Sequence, residues 1–313
     1  MNFIPKFDPT QVFFEPWATP ELIAWNSQII LMGLMVCWAS GMVGTFIVVR
    51  RMALMGDAIS HGILPGIVIA FLTLGSLEVG PMLLGACLAG LACSFSIEWL
   101  QQNSPVNKDA SMAIVFTSFF ALGVTMINLQ AGNLDLDTDC ILYGEIGLTP
   151  LAPNFILGEN DFGNRSLWVM GLICVAIIIL ISLFYRQLLL TSFDAILAHS
   201  IGWPVKIIHL FLMLLLALST VASLESVGVI LVVAMLVFPS VTATFFFNRL
   251  PSILICTFPL GIFYTFGGFH LAYWLDCSIA AAMAITASIC FILSVVFGPK
   301  SYIWKTAKKS PHN

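Results

Sequence analysis

The feature that most constrains this chain is its succession of apolar runs, each near the ~20 residues that carry a helix across a bilayer. They cover roughly residues 29–49, 56–74, 79–97, 110–129, 167–185, 207–224, 227–247, 253–269 and 279–297. Lipid offers no partner to backbone N–H and C=O groups, so a spanning segment must pair them internally. The expected fold is therefore all-α and polytopic, a bundle of about nine transmembrane helices. Composition agrees: 59% of residues are hydrophobic and 9% charged, against about 45–50% and about 25% in soluble domains. No polar linker separates the runs into independent units. We expect one membrane domain over residues 29–298, an external segment over 1–28 and a cytoplasmic tail over 299–313.

The first 25 residues show no charged segment leading into an apolar core and a small-residue cleavage site, so no removable leader is expected. Eight cysteines are present. Most (Cys37, Cys87, Cys93, Cys174, Cys256, Cys290) fall within apolar runs and none forms a CxxC pair, so they read as small core residues. The net charge of −4 gives no reason to expect a nucleic-acid partner.

Where the charges lie orients the chain. With nine spans and the N-terminus outside, the cytoplasmic segments hold ten of the 12 basic residues, including Arg50, Arg51, Arg186, Lys206 and Arg249. Twelve of the 16 acids fall outside. Short cytoplasmic loops carry excess Lys and Arg, so the expected location is the inner (plasma) membrane, N-terminus out and C-terminus in. The outer loop over residues 130–166 carries aspartates at 135, 137 and 139 but lacks the glycine and distal glutamate of a calcium loop. It reads as a solvated acidic loop. The inner loop over residues 186–204 places Phe193, Ile196, Leu197 and Ile201 at helical spacing, as a short amphipathic helix at the membrane surface would.

Two ionisable residues stand inside the second run. A charge in the hydrocarbon region costs roughly 2.5–3.5 kcal/mol and is retained where it meets a cavity, a partner or an ion path. Asp57 and His61 are four apart, hence on one helix face with Cβ atoms about 5–6 Å apart. Together they can hold one divalent cation, with Ser60 beside them as a supporting group. Alternatively they pair with each other, or cap backbone opened by Pro65. Oxygen and nitrogen donors without cysteine suit Mn²⁺, Fe²⁺ or Zn²⁺ rather than Cu⁺. Gly56, Gly62 and Gly66 permit close helix approach, which places this helix centrally. At about 1.5 Å per residue, Asp57 is expected about 9 Å beyond Arg51, nearer the inner than the outer face. His209 and His270 lie near span ends, where interfacial hydrogen bonding is expected, Glu225 reads as an outer boundary residue, and the 13 methionines read as packing. No phosphate loop, HExxH, GxSxG or GxGxxG is present, so any nucleotide must bind another chain.

Four stretches in order resemble one family. RRMALMGDAISHGILPGIVIAFL (residues 50–72) and SVGVILVVAMLVFPSVTATF (226–245) resemble signatures of the zinc/manganese/iron ABC permeases. SFDAILAHSIGWP (192–204) is similar to that family's cytoplasmic coupling segment, and DCILYGEIGLTP (139–150) to its outer segment. The resemblance implies a type II ABC importer-like bundle and a homodimer of permeases. Its expected partners are a cytoplasmic ABC ATPase subunit, which hydrolyses the ATP, and an external metal-binding protein. The chain itself is then not an enzyme, binds no permanent cofactor, and passes Mn²⁺, Zn²⁺ or Fe²⁺ along a path lined by Asp57 and His61. Two departures stand out: Ala195 and Ile196 replace the usual Pro-Glu after Phe193 and Asp194, and residues 151–164 exceed the family norm. A proton-coupled carrier would relay protons through the same pair, but no second copy of GDAISHG marks an inverted repeat. A membrane hydrolase would need further polar groups converging on the pair, and the other runs supply none convincingly.

Overall fold

The computed structural model describes residues 7–74, 79–130, 145–157 and 160–299. Among them, nine helical segments are long and apolar enough to cross a membrane, and the protein is a multi-pass membrane bundle. The acidic run 135–139 lies outside the described residues with the rest of 131–144, as does the side chain of Glu225.

A short helix α1 (Pro9–Phe13) is capped by Asp8, whose carboxylate accepts from the Thr10 N–H at 3.0 Å. After it comes α2 (Pro20–Val49), which begins nine residues before the apolar run. Thr19 caps it by accepting from the Leu22 N–H at 3.3 Å, and Pro20 occupies the first turn, where its missing N–H costs nothing. Polar Asn26 fits inside because its Nδ2 donates to the Pro16 carbonyl at 2.8 Å. Met32, Val36, Cys37, Val43, Phe46 and Ile47 are fully buried, so α2 runs through the middle of the bundle.

The chain turns at Arg50–Leu54, with Arg51 at φ 58°, and enters the second span as two helices, α3 (Met55–Gly62) and α4 (Leu64–Leu74). The expected run of helix from Arg51 to Asp57 is therefore replaced by a turn, and Asp57 stands in the first turn of α3. Pro65 causes the break at Ile63, because it offers no N–H to the carbonyl of His61 four residues earlier. Next come α5 (Val79–Asn103), α6 (Lys108–Gln130) and, after a 3₁₀ turn over Ile146–Leu151, a two-stranded antiparallel hairpin, β1 (Asn154–Leu157) and β2 (Asn160–Asn164). The long 151–164 segment is thus mostly this hairpin. Asn164 then caps α7 (Arg165–Leu183) by accepting from Ser166 N–H at 2.9 Å.

The inner loop forms two short helices rather than one, α8 (Tyr185–Phe193) and α9 (Ala195–Ser200). Asp194 separates them, and its carboxylate accepts from the Leu197 N–H at 2.9 Å. Past α9, α10 (Val205–Phe246) holds two spans joined at Gly228. Its halves must run antiparallel: Ser219 meets Ser40 at 3.2 Å and Ser240 meets Thr45 at 3.1 Å. In a straight helix, those two serines would be about 31 Å apart, while their partners on α2 are about 7.5 Å apart. Gly228 makes the reversal, with φ 74° and ψ 166°, a backbone state open almost only to glycine. The bundle closes with α11 (Leu250–Leu275) and α12 (Ile279–Phe297). Leu84, Leu88, Leu122, Leu172, Ile179 and Ile292 on the outer helices remain exposed, an apolar rim that a bilayer covers.

Candidate metal path

The site begins with what holds α3 in place. Its back face is sealed: Ala58, Ile59 and Ser60 are buried, and Gly56 lies against Leu236 of α10. A Cβ on Gly62 would stand 2.7 Å from the Sγ of Cys93 on α5. One turn on, Gly66 of α4 and Gly85 of α5 meet backbone to backbone, so that a Cβ on Gly85 would lie 2.5 Å from the Gly66 carbonyl oxygen. Small residues therefore set the depth of the broken span, as expected where apolar surface alone gives no net drive between helices in lipid.

The opposite face carries the expected pair. His61 Nε2 stands 3.6 Å from Asp57 Oδ1, and the two side chains remain 30% and 41% exposed. Two donors sharing one ion at about 2.0–2.2 Å lie roughly 3–3.5 Å apart, so a small rotamer change would bring both onto one cation. The same 3.6 Å is too long for a good hydrogen bond. As a closed polar pair they are poorly matched, and as two ligands they are nearly set. Ser60 is not beside the pair's open side. It is buried and its hydroxyl donates to the Gly56 carbonyl at 2.8 Å, which corrects its expected supporting role.

The structure adds two residues the sequence did not single out. Phe116 and Phe120 of α6 flank His61, with ring centroids 6.0 Å and 5.6 Å away, the second edge-on at 84°. They are four apart and so share a face of α6, but nothing in their own run shows that His61 lies opposite. Cys93 offers no ligand on the open side, since its Sγ points to the Ala58 carbonyl at 3.9 Å. Met32, Met55, Met112, Met170, Met213, Met235 and Met283 are buried in the core. His209 is 2.9 Å from an Arg50 nitrogen, and His270 bonds the Val12 carbonyl at 3.0 Å. Among the described residues no group of three or more His, Cys, Asp and Glu side chains gathers to hold a metal. One copy of the chain thus presents one carboxylate and one imidazole, Asp57 and His61, on an open face.

Comparison with known proteins identifies the family of the chain. The model of the ABC 3 transport family matches residues 24–298. The manganese transport system membrane protein MntD of Bacillus subtilis is 38% identical over 277 residues, covering 88% of this chain and 93% of the relative. The zinc transport system membrane protein TroD of Treponema pallidum is 36% identical over 274 residues, 87% and 74% of the two chains. Among solved structures, PsaBC of Streptococcus pneumoniae in complex with Fab superposes with a TM-score of 0.76 at 31% identity, covering 95% of this chain and 99% of that one. The proton-coupled carrier and the membrane hydrolase gain no support from any of these. A family model matched over residues 24–298 leaves one assignment: the chain belongs to the ABC 3 transport family and is the membrane permease subunit of an ATP-binding-cassette transporter.

Proposed function

We propose that this permease imports a divalent metal ion, manganese or zinc, with Fe²⁺ also compatible with the donor set, and that Asp57 and His61 are its ligands along the path. The observation that carries this is the pair itself: a carboxylate and an imidazole 3.6 Å apart, part-exposed, on a span broken by Pro65. Two ligands do not complete the shell of any of these ions. A second copy related by a two-fold axis through this face would bring the same two residues, because such an interface repeats one patch on both subunits. Two carboxylates then balance a 2+ charge, and the neutral imidazoles supply nitrogen lone pairs.

The Arg50 end of the bundle faces the cytoplasm by the distribution of Lys and Arg. At that end α8 and α9 expose Phe193, Ile196, Leu197 and Ile201, with Ile196 85% exposed. These residues form the seat for the ATPase subunit. The opposite end, with its hairpin, receives the external metal-binding protein, and the metal reaches Asp57 and His61 late, close to the cytoplasmic side.

Uptake of labelled Mn²⁺ or Zn²⁺ into proteoliposomes holding permease, ATPase and binding protein tests the site. Asp57→Ala and His61→Ala should each abolish uptake while the complex still assembles. Normal uptake by both variants removes the pair from the path.

A further inference from the structure

We infer that Arg50, His209 and Glu98 form a polar tie through which movement of the α8–α9 segment reaches the helices around the metal path, an inference that rests on the proposed ATPase seat. Arg50 follows the last turn of α2. Its guanidinium forks: Nε donates to Ser192 Oγ at 3.0 Å and Nη2 to Thr191 Oγ1 at 2.9 Å, both on α8. Nη1 lies 2.9 Å from Nδ1 of His209, near the start of α10. A guanidinium has no lone pair to offer, so it must be the donor and Nδ1 the acceptor. The proton of neutral His209 is thereby placed on Nε2, which faces Glu98 Oε2 of α5 at 3.8 Å. Arg50 and His209 are thus hydrogen-bonded between helices, and the Glu98 carboxylate faces the N–H end of the same imidazole as an electrostatic neighbour beyond hydrogen-bond length.

The tie crosses four helices. It links α2, α8, α10 and α5 at the end where α8 and α9 are exposed. Glu98 lies five residues beyond Cys93, which packs on Ala58 and Gly62 around the Asp57/His61 turn. A shift of α8 must therefore carry Arg50 with it or break its two hydrogen bonds to Thr191 and Ser192, a moving Arg50 pulls on His209, and α5 conveys the shift to the back of α3. Burial pushes the Arg50 guanidinium down to about 10, still well above neutral pH, so the hub stays charged. Two buried side-chain atoms at this junction have no hydrogen-bond partner among the described residues: Nε2 of Gln101, one turn beyond Glu98 on α5, and Oε1 of Gln187, one turn before Thr191 on α8. An open donor and an open acceptor on the two helices joined by the tie supply what a second arrangement of the joint would use.

The test counts ions moved per ATP hydrolysed, in proteoliposomes holding the full complex with its binding protein. Arg50→Gln should leave ATP hydrolysis within about twofold but lower Mn²⁺ moved per ATP about tenfold, within the usual span of coupling between sites. Arg50→Lys, which keeps the charge without the fork, should not restore the ratio. Glu98→Gln should lower it too, and the double variant Arg50→Gln/Glu98→Gln should be no worse than Arg50→Gln alone. An unchanged ratio in Arg50→Gln, a proportional fall of hydrolysis and transport together, or strictly additive effects would overturn the tie. Should Arg50→Gln fail to assemble, Thr191→Ala/Ser192→Ala removes the fork's acceptors with Arg50 in place, and an unchanged ratio there overturns it equally. Asp57→Ala in the same vesicles separates the two proposals: lost uptake in that variant with a normal ratio in Arg50→Gln rejects the tie alone.

Discussion

At the scale of single residues, the open pair depends on how firmly its imidazole is held. His61 lies beside the tilted ring of Phe116 and makes an edge-type contact with Phe120, and such ring contacts are worth about 0.5–1.5 kcal/mol beyond buried area. Phe120→Leu keeps an apolar side chain at that place but removes the ring. We expect the concentration for half-maximal metal uptake to rise about two- to tenfold, with the maximal rate unchanged, because on the proposed site the lost contact would orient His61 rather than bind the ion. A titration of initial uptake rate against free Mn²⁺ reads both quantities, and an unaltered half-saturation point would show that the ring does not orient the ligand. That Asp57 and His61 are neighbours was legible in the sequence, because residues four apart on a helix share one face. Their aromatic neighbours were not, since Phe116 and Phe120 lie in a run rich in apolar residues and only packing selects them. Arg50 was legible as a cytoplasmic charge, yet its partners are 141 to 159 positions away, beyond the reach of any local pattern.

Among the elements, the spans themselves were the readable part, because a bilayer imposes length and apolarity on every one. The differences lie at their ends. The first span was expected at residue 29, but α2 starts at Pro20, as Asn26 hides its amide in a bond to Pro16 that no hydropathy pattern reveals. The inner segment was expected as one helix; Asp194 divides it by capping α9 with its side chain. The fold-back between the two spans of α10 depends on Gly228, whose φ of 74° and ψ of 166° no L side chain adopts without strain. Gly228→Ala should cost about 1–3 kcal/mol and lower the thermal midpoint of the purified permease. Gly80, with no atom near enough to meet an added Cβ, supplies the control: Gly80→Ala should be neutral or slightly stabilising. Equal midpoints for the two variants would mean that the reversal does not need a glycine.

For the whole molecule, the proposed site raises the question of whether one chain completes it or two copies share it. The Asp57/His61 face is open, and no third His, Cys, Asp or Glu among the described residues joins the pair. If the ion is held between two copies, damage to one copy disables the complex, whereas two separate paths would fail one at a time. Wild-type and Asp57→Ala permeases expressed at equal levels pair at random, giving about one quarter wild-type, one half mixed and one quarter doubly altered dimers. A shared site then predicts uptake near about a quarter of the wild-type rate per complex, while independent paths predict about half, and sufficiency of a single intact copy predicts about three quarters. Differently tagged copies allow the mixed dimer to be purified and measured alone. There the shared site requires almost no uptake, and substantial uptake by the mixed dimer would place a complete path within each chain.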